Sequence, residues 1–341
     1  MSNVERYLEA ATRANTRRSY DSALRHFEES WGGHLPATAD SVARYLADHA
    51  GELAINTLKQ RLAALSHWHA DHGFADPARS PTVRKVLKGI QALHPAVEKR
   101  AAPLHLQLLG QVSDRLEIAA SEAQANNNRA AELRFLRDRA FVLLGFWRGF
   151  RGDELIRLRI EHLSVVPGHG MTCFLGRTKG DRQNDGTTFK VPALSRWCPV
   201  TATTTWLTST GLTEGPLFRR VDRWGHMATT GLHSNSVISL LRRMFTTVGV
   251  PSPDAYSAHS LRRGFAGWAS DNGWDVKTLM EYIGWKDVHS ALRYIEDKDG
   301  FARDRFEEAL AMYPDRSVLA NETSTERLAQ AHPLVPKTRR L

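Results

Sequence analysis

The chain has 341 residues, enough for two domains of about 100–200 residues each, and 42% of them are hydrophobic, so both domains can bury a core. Its 46 Lys and Arg outnumber 37 Asp and Glu, and the net charge of +9 favours a polyanionic partner, nucleic acid before an anionic membrane. Two cysteines, Cys173 and Cys198, exclude a disulfide framework or a four-cysteine zinc site. No apolar run has the length of a membrane span or the pattern of a signal peptide, so we expect a cytoplasmic protein without a membrane partner.

The first 95 residues predict a helical unit. Four patterns with one apolar face each begin near residues 15, 40, 56 and 80, at residue types that cap helices. The fourth begins with Ser80-Pro81, and proline suits the first helical position. No long alternating strand pattern interrupts these segments, so we expect four or five helices.

Residues 96–103 lack periodicity and end in Pro103, so we place a linker there. The stretch from residue 78 to residue 100 is strongly basic. From it we take Arg84, Lys85 and Lys88 as DNA contacts, and a solvated helix face is the alternative interpretation.

The second unit is predicted to be mixed. Helical patterns cover 105–120 and 129–147, three short strand patterns cover 163–166, 172–175 and 187–191, and helical patterns resume at 199–209, 235–248, 259–271, 275–283, 288–297 and 301–312. The fold class is therefore mainly α with a small antiparallel β-sheet. We assign residues 104–316 to this domain and residues 317–341 to a flexible tail.

Chemistry concentrates around His259 and Arg262, which are three residues apart and share one face of a predicted helix. A histidine and an arginine directed at one point suit an anion that must be bound and also exchange a proton. Upstream, Arg151 is followed three residues later by Glu154, which can orient an arginine or His259, or form a plain salt bridge.

These motifs resemble the tyrosine recombinase (phage integrase) family. His259-x-x-Arg262, Gly284-Trp285 and Tyr294 resemble its C-terminal signature, with the spacing of Cre-like members. The segment around Arg151 resembles the family's first arginine motif. Gly176-Arg177-Thr178-Lys179 resembles the hairpin that carries its catalytic lysine, so the resemblance covers about residues 103–312.

The resemblance implies a two-domain DNA clamp, with a helical (SAM-like) core-binding domain at 1–95 and a catalytic domain at 104–316. It implies six catalytic residues: Arg151, Lys179, His259, Arg262, Trp285 and Tyr294. Arg177 and Arg263 would contact DNA, and Glu154 would orient a catalytic side chain. Two guanidiniums stay charged at any working pH and can clamp a phosphate, so the scheme needs neither metal nor cofactor.

The implied reaction is site-specific recombination of duplex DNA, through a 3′-phosphotyrosyl link and a Holliday junction. The implied partners are double-stranded DNA with paired inverted-repeat sites and a homo-tetramer on two such sites. Residues 301–312 place Ala302, Phe306 and Leu310 on one face, and this helix would dock into a neighbouring protomer or pack on its own domain.

Three alternatives differ in outcome or class. A type IB topoisomerase or telomere resolvase would use the same chemistry, whereas a non-catalytic DNA-binding protein on this scaffold would have lost a catalytic position. His67-Trp68-His69 matches the metal-binding motif of relaxases. On a helix, however, residues two apart point about 200° apart, so we expect no metal there.

Overall fold

The structure is a computed structural model that describes residues 3–12, 14–95, 101–166, 168–176, 178 and 185–292. The chain divides into two compact units, Met1–Arg100 and Ala101–Leu341. Within the described ranges, no helix is long and apolar enough to cross a membrane.

The first unit is helical, as the sequence predicts. Its helices are α1 (Asn3–Ala11), α2 (Ala14–Arg25), α3 (Ala39–Asp48), α4 (Ile55–Asp71) and α5 (Pro81–Leu93), with a π-helical turn at His26–Ser30 and a 3₁₀ turn at Pro77–Arg79. The core residues recur at helical spacing, so α3, α4 and α5 each bury one face: Val42, Tyr45 and Leu46 of α3, Leu58 and Leu65 of α4, and Val83 and Ile90 of α5.

Two α-helices of this unit, α5 and α3, begin at a side-chain cap. The Ser80 hydroxyl accepts the backbone N–H of Thr82 at 3.3 Å, and Pro81 begins α5, as predicted. The expected cap of α3 was wrong. Thr38 caps that helix by accepting the Ser41 N–H at 3.1 Å, and Asp40 lies inside the first turn.

The second unit is built around α7. Its helices are α6 (Leu106–Ala125), α7 (Arg129–Trp147), α8 (Gly152–Ile156), α9 (Pro199–Thr210), α10 (Ser234–Thr247), α11 (Ala258–Asp271), α12 (Val276–Ile283) and α13 (Val288–Leu292). Every residue of α7 from Ala140 to Trp147 is buried, as expected for a helical segment that is apolar on all sides. Helices α6, α9 and α11 pack around it.

The predicted sheet forms from β1 (Leu163–Val166), β2 (Gly170–Leu175) and β3 (Thr187–Pro192), which pair antiparallel in that order. Cys173 of β2 faces Leu163 on one side and Phe189 on the other. Met171, Cys173 and Leu175 are buried because they alternate onto the core face. A second hairpin, β4 (Arg219–Val221) with β5 (Met227–Gly231), was missed by the sequence analysis.

Candidate active site

The site forms at the corner between α7 and α8. Gly149 turns the chain with a φ of 61°, a left-handed conformation that favours glycine. Arg151 follows with extended backbone and occupies the N-cap position of α8. This corner places the Arg151 side chain at the end of two helices, with 24% of it exposed.

Glu154 fixes Arg151 through two contacts. Its Oε1 accepts from the Arg151 guanidinium at 2.6 Å, and its Oε2 accepts from the Arg151 backbone N–H at 2.8 Å. Only 4% of the Glu154 side chain is exposed, so the pair is shielded from water and held in one geometry. Arg151 is thus bonded to Glu154 in the structure, as one of the interpretations from the sequence expects.

Helix α11 brings His259 and Arg262 to the same corner. A Cβ atom on Gly152 would lie 2.7 Å from the Cβ of Ala258, so the first residues of α8 and α11 abut because Gly152 has no side chain. His259 is exposed in the first turn of α11. One turn further, the buried Arg262 donates from Nη1 to the carbonyl oxygen of Gly149 at 2.6 Å.

Trp285 closes the buried side of the site. It follows Gly284, which ends α12 with a left-handed φ of 78°. The indole is 6% exposed, and its ring centroid lies 4.9 Å from the guanidinium carbon of Arg262. A cation over an aromatic face is stabilised by the ring's quadrupole, so Trp285 supports Arg262.

Arg148 also lies at this corner, and the sequence analysis did not single it out. Its guanidinium carbon lies 4.3 Å from the ring centroid of Tyr282 and 4.7 Å from that of Phe189, and the residue is 6% exposed. Burial lowers its pKa below the ordinary value for arginine. In the sequence, Arg148 stands out only as a charged residue between Trp147 and Gly149, at the end of an apolar helical segment.

The remaining predicted residues fall elsewhere or outside the described chain. Arg177, Lys179 and Tyr294 lie outside the described residues. Arg263 is 8% exposed and lines a cavity of about 330 Å³ beside the start of α6. Arg84, Lys85 and Lys88 are exposed on α5 of the first unit, on the side away from buried Val83 and Ile90.

The two histidines of the relaxase-like motif lie on α4, and both are bonded to neighbouring groups of the protein. His69 is fully buried, with Nε2 accepting the Ala37 N–H at 2.8 Å and Nδ1 lying 2.7 Å from the Leu65 carbonyl oxygen. His67 pairs with Asp71 at 2.8 Å. In the part of the chain that the structure describes, no group of three His, Cys, Asp or Glu side chains could hold a metal ion.

The arrangement suits a phosphate in a strongly charged transition state. Arg151 and Arg262 lie at the same corner, because Arg262 donates to the carbonyl oxygen of Gly149, two residues before Arg151, and His259 follows Ala258, which abuts Gly152. Preorganised guanidiniums stabilise charge that develops on non-bridging phosphate oxygens. The Cys173 thiol is not a competing nucleophile, because burial raises its pKa to about 12 and keeps it protonated near neutral pH.

Comparison with known proteins identifies the class. Residues 118–300 match the model of the phage integrase family, and the chain belongs to this family of tyrosine recombinases, enzymes that cleave and rejoin DNA at specific sites. It is 28% identical over 307 residues to an integrase/recombinase XerD homolog of Selenomonas ruminantium, covering 87% of this chain and 86% of that protein. It is 25% identical over 281 residues to the Cre recombinase of Escherichia phage P1, covering 78% of each.

Solved structures share the fold. The XerH site-specific recombinase bound to a palindromic difH substrate matches with a TM-score of 0.58 and 17% identity, over 87% of this chain and 80% of that one. The Tn1549 transposon integrase in complex with a circular intermediate DNA matches with a TM-score of 0.58 and 13% identity, over 87% of this chain and 94% of that one.

Proposed function

We propose that the protein recombines duplex DNA with Tyr294 as nucleophile and with Arg151, Arg262, His259, Lys179 and Trp285 as the catalytic set. The observation that carries this proposal is the convergence of Arg151 and Arg262 on one corner, each fixed by a separate acceptor. Two such cations are what a phosphoryl transfer without metal requires.

In the proposed first step, the Tyr294 oxygen attacks the scissile phosphorus and the bond from phosphorus to the 5′ oxygen breaks. The tyrosine proton passes to a base, for which His259 is the candidate, and Lys179 protonates the departing 5′ oxygen. A 5′-hydroxyl of the partner strand then attacks the phosphotyrosine and releases Tyr294. Two such rounds pass through a Holliday junction, and the phosphotyrosine conserves the bond energy.

The proposed partner is double-stranded DNA with paired inverted-repeat sites, bound by a homo-tetramer on two such sites. The palindromic substrate of the XerH complex supports this choice of DNA. We assign phosphate contacts to Arg84, Lys85 and Lys88, which are exposed on α5, and to Arg177. Arg263 is left out of this set because it is buried. The excess of 46 basic over 37 acidic residues agrees with such a partner.

Covalent capture of DNA tests the nucleophile. The protein is incubated with fragmented genomic DNA, covalent adducts are isolated under denaturing conditions, and the attached DNA is sequenced to find the site. A nicked version of that site should then trap the adduct with the wild-type protein and with Tyr7→Phe, a control at a tyrosine that is 71% exposed in the first unit. Tyr294→Phe should bind the DNA but form no adduct. An adduct with Tyr294→Phe would contradict the assignment, and relaxation without strand exchange would indicate a topoisomerase.

A sulfur substrate tests the general acid. General-acid catalysis contributes about 10²–10⁴-fold, so Lys179→Ala should slow cleavage by that factor on the ordinary site. With sulfur in place of the bridging 5′ oxygen, the leaving group is a thiolate with a reference pKa of about 8.5, which needs little protonation. The deficit of Lys179→Ala should then shrink, while that of Arg151→Ala should persist. Equal deficits of Lys179→Ala on the two substrates would assign the role of general acid to Arg177, Arg182 or His259 instead.

A further inference from the structure

Arg148 is a buried cation, and its guanidinium packs against aromatic rings. Its Nε and Nη1 atoms are inaccessible to water and have no hydrogen-bond partner among the described residues. The rings of Tyr282 and Phe189 lie 4.3 and 4.7 Å from its guanidinium carbon, and that of Phe150 lies 6.0 Å away. A desolvated cation gains more from such rings than an exposed one does.

The two nearest rings belong to elements that lead to different parts of the site. Phe189 lies in β3 and pairs across the sheet with Cys173 of β2. Tyr282 lies in α12, which ends just before Trp285, and its hydroxyl donates to the carbonyl oxygen of Trp147 at 2.9 Å. Arg148 therefore joins the β2–β3 strand pair to the helix that positions Trp285.

Packing alone does not account for a charge at this position. Dehydrating the Nε and Nη1 groups of a guanidinium without hydrogen-bond acceptors is costly, whereas a methionine or leucine would fill the same space without that penalty. The cation adds a directional attraction to both rings at once. In the sequence, β2 ends at Leu175 and β3 begins at Thr187, so this strand pair brackets the segment that contains Lys179.

We propose that Arg148 is a positioning residue for protonation of the leaving group. It holds the β2–β3 pair against α12 and thereby sets the position from which the intervening segment presents Lys179. The proposal rests on the proposed function, in which Lys179 is the general acid. The carboxylate of Glu154 also acts on the Arg148 charge, so the competing role is support of the Glu154–Arg151 pair.

Single-turnover cleavage on oxygen and sulfur substrates separates these two roles. Ångström-scale misplacement of a reacting group costs up to about 10²-fold, so Arg148→Met should slow cleavage of the oxygen substrate by about 10–100-fold. On the sulfur substrate most of this deficit should vanish, because the leaving group no longer needs Lys179. Arg148→Lys retains a cation over the rings and should recover most of the rate. Equal deficits of Arg148→Met on both substrates would overturn the proposal.

Two further variants distinguish the specific role of Arg148 from a general loss of structure. Phe189→Leu removes one ring and leaves the cation, and it should give the same sulfur-dependent deficit. Arg223→Met is the matched control, because Arg223 is an exposed arginine whose guanidinium carbon lies 4.6 Å from the Trp224 ring centroid, and it should cleave both substrates at the wild-type rate. A sulfur-dependent deficit in Arg223→Met would contradict the assignment of this role to Arg148.

Amide hydrogen exchange gives a readout that does not depend on activity. Arg148→Met should accelerate exchange in β2 and β3 and leave the amides of α6 and α9 protected. Unchanged exchange in the strands would overturn the positioning role even if the enzyme cleaves DNA as proposed. If the wild-type protein cleaves no DNA, the proposed function fails, and the exchange data still decide whether Arg148 holds the strands.

Discussion

We expect Glu154 to control the orientation of Arg151 in the candidate site. Its carboxylate accepts both the Arg151 guanidinium and the Arg151 backbone N–H, and it is almost fully buried. Glu154→Gln keeps the size and one acceptor oxygen but removes the charge. A hydrogen bond to a charged group contributes about 1.5–3 kcal/mol, so we expect cleavage to slow by about 10–100-fold.

The measurement is single-turnover cleavage together with DNA affinity. Because Arg151 keeps its own charge in Glu154→Gln, affinity should stay near the wild-type value while the rate falls. The matched control is Glu161→Gln. Glu161 also pairs with an arginine, Arg159, and this pair lies in the same unit but away from the site. Cleavage by Glu154→Gln at the wild-type rate would show that Arg151 does not need this partner.

The two cysteines should differ sharply in reactivity. Burial raises the pKa of Cys173 to about 12. Partial burial also opposes ionisation of Cys198, but hydrogen bonds to its sulfur from the backbone N–H groups of Leu194 and Thr201 outweigh it and lower the pKa. Alkylation under native conditions, followed by mass spectrometry, should therefore modify Cys198 first and Cys173 only after unfolding. Equal labelling of both in the folded protein would contradict the buried position of Cys173 in β2.

At the scale of elements, the contact between α8 and α11 depends on a missing side chain. The Cβ of alanine at position 152 would lie 2.7 Å from the Cβ of Ala258, which is closer than real Cβ contacts. Gly152→Ala must push the two helix starts apart, and overpacking of this kind costs about 1–3 kcal/mol. Because Arg151 and His259 flank this contact, the rate of cleavage should fall together with the free energy of unfolding.

Gly267→Ala is the matched control within α11. Beyond the backbone of α11 itself, no atom of the described residues lies within 4 Å of the place that a methyl group on Gly267 would occupy, and the φ of this glycine is not left-handed. An alanine in an open helical position stabilises by about 0.4–1 kcal/mol, mainly by restricting the unfolded chain. The free energy of unfolding, measured with denaturant, should thus rise in Gly267→Ala and fall in Gly152→Ala. Unchanged stability in Gly152→Ala would contradict the close approach of α8 and α11.

Elements with strong periodic patterns could be predicted from the sequence. The apolar run of α7 and the Ser80-Pro81 start of α5 gave those helices nearly residue by residue. The β4–β5 hairpin was missed because the sequence of β5 does not alternate apolar and polar residues, and because β4, with three residues, is too short to establish a pattern. The five-residue helix α8 is also too short to show a periodic signal.

In the candidate site too, features within one element could be predicted and contacts between distant segments could not. His259 and Arg262 could be placed on one face from their spacing, because a single helix carries both. Two features of the site could not be predicted: the hydrogen bond from Arg262 to Gly149, and the contacts of Arg148 with the rings of Phe189 and Tyr282. Each joins segments more than 30 residues apart in the chain. A buried charge without an acidic neighbour in sequence is recognised only once its surroundings are known.

At the scale of the whole molecule, binding should depend on salt in a way that reports the basic surface. Proteins that neutralise phosphates release counterions, so affinity falls steeply as salt rises. The exposed Arg84, Lys85 and Lys88 of α5 are proposed phosphate contacts, whereas Arg151 is proposed to act in the transition state. Substitution on α5 would therefore lower the salt dependence of binding, and substitution of Arg151 would chiefly lower the rate.

We expect the C-terminal segment to determine assembly. The helix expected at 301–312 lies outside the described residues, and its sequence places Ala302, Phe306, Ala309 and Leu310 on one apolar face, with Tyr313 next in line. A helix that docks on a neighbouring protomer contributes to synapsis, and one that packs on its own domain contributes to folding. We expect the first outcome, as in the homo-tetramer proposed above.

Deletion of residues 301–341 distinguishes the two outcomes. The truncated protein should bind a single site with nearly the wild-type affinity and form the covalent adduct, but it should not join two sites in one complex. Phe306→Asp in the full-length chain places a charge on the same apolar face and should have the same effect, whereas Glu307→Gln, at the adjacent position off that face, should leave the pairing of sites intact. Gel-shift assays with one and two sites, with mass measured in solution, give the stoichiometry. Normal pairing of two sites by the truncated protein would show that the segment does not link protomers, and loss of its thermal stability would show that the helix packs on its own domain.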